Sequence, residues 1–145
     1  MKTKLILVII SMVVLAACSK KEEHQALATD SNEWAELDSF HMIMAEAFHP
    51  FKDSANLEPV KALAEEMAAE ADKWAAASLP TKVDTDEVKA LLAKLKTDTR
   101  ALADKVKAGA SNEELGADLT TLHDNFHGIM EAWHKGKGEK HEHKH

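Results

Sequence analysis

Nine histidines occur in this 145-residue chain, and none of them falls between His49 and His123. His41 and His49 belong to the first helical stretch, and His123, His127 and His134 to the last. His24, His141, His143 and His145 lie in polar terminal segments. Histidine is the commonest metal ligand and the side chain that titrates nearest neutral pH. His123 and His127 are four positions apart, a spacing that stacks two side chains on one face of a helix. Two imidazoles so placed can chelate one divalent ion. A third completes the ligand set that zinc takes, or suits copper.

His41 is the expected third ligand. It stands where the surrounding pattern, Leu37, Met44 and Phe48, asks for an apolar side chain. A buried imidazole needs a hydrogen-bond partner or a metal, because burying a polar group unpaired costs several kcal/mol. Met44 lies one turn from His41 and Met130 one turn from His127, and thioether sulfur favours Cu(I), although methionine is also an ordinary core filler. His49 and His134 are further candidates at the edges of the site. The tail bearing His141, His143 and His145 is of low complexity and reads as a weak site for Zn²⁺, Cu²⁺ or Ni²⁺, or as a solvated charged segment.

Four segments of apolar residues at alternating steps of three and four must position these side chains. They span about residues 30 to 51, 57 to 78, 85 to 108 and 112 to 135, with capping-box spacing at Asp30–Glu33, Asp84–Glu87 and Ser111–Glu114. Asn56 is positioned to cap the second and Gly109 to end the third. Pro50 is expected to kink or shorten the first. No strand-like alternation appears. The expected fold is all-α, an antiparallel up-down-up-down four-helix bundle, since short links force consecutive helices to run antiparallel. In such a bundle the first and last helices are neighbours, and facing positions have numbers summing to about 168. His41 then faces His127, and Trp34, Trp74 and Trp133 share one end as an apolar plug.

The chain begins with two lysines, an apolar run to Ala17, and Leu15-Ala16-Ala17-Cys18. This is the form of a secretory signal, and the run is too short to cross a bilayer. The Leu-Ala-Ala-Cys stretch resembles the lipobox of bacterial lipoproteins. The resemblance implies cleavage before Cys18, lipidation of that cysteine, and a membrane anchor at the outer membrane, facing the periplasm or the cell surface. The expected organisation is a signal peptide (1–17), a lipidated tether (18–30), the bundle (31–135) and a flexible His/Lys-rich tail (136–145). Cys18 is the only cysteine, so an internal disulfide and a Cys-x-x-Cys-His haem attachment are both excluded. The net charge of −7 argues against nucleic-acid binding, which depends on neutralising phosphates with Lys and Arg.

Asn56-Leu-Glu-Pro-Val60-Lys61-Ala-Leu63, the alanine-rich helix after it, and Phe126-His127 resemble the periplasmic four-helix cytochromes, the b-type member and the c-prime group. The resemblance implies the bundle fold. It also implies His127 as an axial haem ligand, while His41 stands where that family carries its axial methionine. A haem b held by His41 and His127 is therefore the alternative to a bare copper or zinc ion. The flank Ala64, Ala68 and Ala75 either leaves room for a porphyrin or serves close helix packing.

The expected function is a metal-binding lipoprotein outside the inner membrane, acting in copper or zinc homeostasis or resistance. Haem-based electron transfer and a cofactor-free scaffold are the alternatives. An enzyme is not expected. The chain has no cysteine nucleophile in the mature domain, no Ser-His-Asp spacing and no glycine-rich phosphate loop. Its two Glu-x-x-His copies, ending in His49 and His134, fall at opposite ends of the bundle, which disfavours a shared di-iron centre. No protein partner is named by the sequence.

Overall fold

The computed structural model describes residues 33–138. The expected signal peptide, Cys18, the tether, Asp30, His24 and the three tail histidines lie outside the described residues. Four helices occur within them: α1 (Ala35–Ser54), α2 (Glu58–Ala76), α3 (Asp86–Lys107) and α4 (Asn112–Gly138), with a single 3-10 turn (Thr81–Val83) between α2 and α3. Each helix packs on the next, and α4 closes the ring against α1. This is the antiparallel four-helix bundle that the short links require. No described helix is long and apolar enough to cross a membrane.

The helix ends show how local chemistry sets the boundaries. α4 opens with the expected capping box. The Glu114 N–H donates to Ser111 Oγ, and the Ser111 N–H donates back to the Glu114 carboxylate. α3 is capped by Thr85, whose Oγ1 accepts from the Val88 N–H. The expected cap, Asp84, instead pairs with Lys89 at 2.6 Å. Asn56 Oδ1 accepts from the Glu58 N–H ahead of Pro59.

α1 begins later than the spacing predicts. Trp34 is still extended and has no side-chain cap hydrogen bond; its ring is buried in the core. Pro50 does not end the helix, which continues to Ser54. The Ser54 hydroxyl donates to the Pro50 carbonyl and the Asn56 N–H donates to the same oxygen. The helix stops instead at Ala55, in the left-handed region at φ 55°.

The core is a column of large side chains. Leu115, Leu119, Leu122, Phe126, Ile129 and Trp133 of α4 are all buried, as their spacing predicts. The three tryptophans form the expected plug: Trp34 lies 5.1 Å from Trp74, edge to face, and 5.4 Å from Trp133. The indole nitrogens of Trp34 and Trp74 are buried without a hydrogen-bond partner. Edge-to-face ring contact offers N–H groups partial electrostatic compensation. The alanines of α2 serve close packing: Ala64 and Ala68 sit against Ala103 of α3. On the outside of this α2–α3 seam, Arg100 reaches both Glu65 and Asp72, and Lys107 pairs with Glu65. These exposed pairs set helix register more than they add stability. They leave the opposite seam, between α1 and α4, to the histidines.

Candidate metal centre

The α1–α4 seam is built from rings. Descending from the tryptophan plug, Phe40 lies 5.4 Å from Phe126, Phe48 lies 3.7 Å from His123, and Phe51 covers Gly116. The numbers of these pairs keep close to the predicted register. Gly116 is needed there, because a Cβ at that position would stand 2.8 Å from the Phe51 ring.

His123 and His127 occupy one face of α4, one turn apart, with Nε2 atoms separated by 3.1 Å. His123 is half-buried and His127 exposed. The His123 ring stacks on Phe48 with planes 10° apart. Its other nitrogen, Nδ1, is 3.5 Å from the Asp124 carboxylate. That carboxylate favours the proton on Nδ1, which leaves the Nε2 lone pair facing His127. With that tautomer the His127 Nε2–H is the donor and His123 Nε2 the acceptor of the contact between them.

The His123 pKa lies below the ordinary histidine value. Burial is the main cause, the nearby His127 adds to it, and the Lys52 ammonium contributes; Asp124 pulls in the other direction. The ring is therefore held neutral, the form that binds a metal.

His41 requires a correction. It is exposed rather than buried, and Phe40, fully buried, takes the core position. The steps 34-37-41-44 and 34-37-40-44 both satisfy a helical seam. The fold chooses the one that buries a phenyl ring and leaves the imidazole in water. His41 still lies near the expected place: its ring is 5.5 Å from Phe126, the residue before His127 on α4. Among the described residues, however, no three of His, Cys, Asp and Glu stand close enough together to hold an ion. The histidines that do meet are His123 and His127, with His41 on the neighbouring helix beside Phe126.

The remaining candidates divide clearly. Met44 is buried in the core and Met130 is half-buried against it. His49 and His134 are exposed, and neither joins a metal-holding group among the described residues. Phe48 and Asp124 are the functional neighbours that spacing alone did not single out. The expected register sets Ala45 opposite His123, and the structure puts Phe48, almost a turn further along α1, against that ring instead; Asp124 is the sequence neighbour of His123. His41 and His127 are the two histidines of the haem alternative. Both lie at the surface, and the Phe126 ring that borders them is buried and packed on Phe40 and Trp74. An open depression of about 660 Å³ beside Leu79, Leu92 and Lys96 lies at the end of the α2–α3 seam and contains no histidine.

The chain matches no protein-family profile, and no curated protein or solved structure is significantly similar to it.

Proposed function

We propose that this protein is an extracytoplasmic lipoprotein that binds a copper or zinc ion through histidines of its first and last helices, in metal homeostasis or resistance. The reading rests on one observation, the 3.1 Å separation of the His123 and His127 Nε2 atoms. With metal–nitrogen bonds of about 2.05 Å, a tetrahedral ion spreads two nitrogens to about 3.3 Å and a square-planar one to about 2.9 Å. The observed separation falls between the two, so both Nε2 atoms are close enough together to bind one ion in place of the hydrogen bond between them. Asp124 behind His123 supplies the carboxylate–imidazole support common to metal-bound histidine. His41 lies on the neighbouring helix, beside Phe126. The acidic chain favours cations in general. Anchorage through Cys18, at the outer membrane, is the expectation that the lipobox carries.

Titrating the mature chain with Cu²⁺ and Zn²⁺ tests the reading, with His141, His143 and His145 replaced by alanine to silence the tail. His127→Ala should weaken binding at least tenfold, and His41→Ala should weaken it less. Equal affinity in the His127→Ala protein would refute the assignment.

A further inference from the structure

We infer that the ion is shared between two copies of this chain, each contributing His123 and His127 to a single four-nitrogen site. The inference rests on the metal-binding reading of that pair; it gives the place of His41 as a ligand to the second copy's imidazoles and leaves His41 beside the site.

Zinc in a closed protein site takes four ligands arranged tetrahedrally. The pair supplies two, and no third His, Cys, Asp or Glu among the described residues stands with them. Two positions on the ion are therefore left to ligands from outside the described part of this chain. The α4 surface beside them is open: His127, Thr120, Asp124 and Glu131 are exposed. A second α4 approaching along a two-fold axis through the ion brings an identical pair. Such an interface is self-complementary, because the same patch serves both copies. The two chelates, turned about a right angle to one another, make a tetrahedron without asking either helix to bend.

Charge makes the association conditional. A chain of net charge −7 repels its own copy. With no large apolar side chain among the residues facing across, nothing at that patch holds two copies together in the ion's absence. The divalent cation supplies the four metal–nitrogen bonds and offsets part of the repulsion. The association is thus a readout of the ion: monomer without it, dimer with it.

The test uses the mature chain with its three tail histidines replaced by alanine, titrated with Zn²⁺ and followed by calorimetry and sedimentation equilibrium. One Zn²⁺ per two chains, with a doubling of mass that a chelator reverses, is the expected result. His127→Ala should abolish the doubling while the helical circular dichroism is kept, and His41→Ala should leave the stoichiometry unchanged. Binding of one Zn²⁺ per monomer would overturn the shared site while leaving the metal reading intact, and its loss in His41→Ala would make His41 the missing ligand. Dimerisation only in the chain with its tail histidines intact would overturn it in favour of the tail. No Zn²⁺ binding at all would overturn the metal reading itself.

Discussion

Phe48 and His123 lie face to face across the α1–α4 seam, their ring centroids 3.7 Å apart and their planes 10° apart. The contact does two things. It buries the Phe48 ring almost completely, and it fixes the plane of the imidazole whose Nε2 faces His127. A ligand held in its productive orientation loses less freedom when the ion arrives.

Phe48→Ala should therefore cost both stability and affinity. Deleting a buried phenyl ring lowers unfolding free energy by about 3–5 kcal/mol. Phe48→Leu keeps most of the apolar volume but none of the stacking, so it should cost less than half as much in denaturant titration. Its metal affinity should nevertheless fall towards that of the alanine variant. Affinity that tracked stability across the two substitutions would show that stacking does not orient the ligand.

Acid should weaken the fold through His123. Its folded pKa lies below the unfolded value, with burial the first cause. Between the two values the unfolded chain binds more protons, so stability rises with pH through that window. The contribution is present above the ordinary histidine pKa of about 6.5 and is lost as pH falls through the depressed folded value. Protonation also removes the lone pair a metal needs, so on the proposed reading metal affinity should fall as pH drops through that range. His123→Gln should flatten the stability change in that window, measured by urea denaturation at several pH values. Besides burial, the groups that act on it are His127, Asp124 and Lys52, and since the Lys52 ammonium lowers the value, Lys52→Gln should move the His123 titration upward in an NMR experiment.

The sequence makes the bundle legible because α4 repeats its apolar residues without ambiguity and its Ser111–Glu114 box marks the start. α1 is different. Phe40 and His41 are adjacent, and either satisfies a spacing of three and four, so periodicity cannot say which faces inward. Side-chain volume and polarity decide it, and Phe40 wins. Thr99 hides for a related reason: it fills the α3 core between Leu95 and Leu102, yet a hydroxyl is a poor apolar signal. Its burial is tolerated because Oγ1 donates within its own helix, to Leu95 O or Lys96 O. The His123–His127 pair is legible because a spacing of four on a helix dictates it. The stacking on Phe48 needs the inter-helix register to within a residue, which side-chain spacing supplies only approximately.

Gly116 tests that register directly. Alanine is the better helix former by about 1 kcal/mol, so Gly116→Ala in an otherwise open helix would stabilise. Here its Cβ would meet the tip of the Phe51 ring at 2.8 Å. The ring must shift, and the single substitution should lower stability by about 1 kcal/mol. In a Phe51→Ala background the clash is gone, and the same Gly116→Ala change should become stabilising by up to about 1 kcal/mol. A double-mutant cycle by thermal or urea unfolding reads the sign reversal. The same sign in both backgrounds would mean that α1 and α4 do not meet in this register.

Asp124 separates a metal-supporting role from a merely structural one. Its carboxylate stands 3.5 Å from His123 Nδ1 and is otherwise in solvent, so it carries little packing. Asp124→Asn keeps the size and a weak acceptor but removes the charge. The fold should be almost unaffected, since isolated surface pairs contribute little. The imidazole changes more: without the anion, its Nδ1 proton is held less firmly and its Nε2 becomes a poorer donor to an ion. Partners of this kind typically alter metal affinity by about 10–100-fold, and the exposure of Asp124 places the expected loss at the low end, about tenfold. The His123 pKa should fall further at the same time, because Asp124 is the group that opposes burial and Lys52. Both readouts stay unchanged for a bystander: a carboxylate that only decorates the surface would shift neither the NMR titration of His123 nor the Zn²⁺ titration. A shift in the first without the second would show that Asp124 senses the proton on His123 but does not support an ion on Nε2.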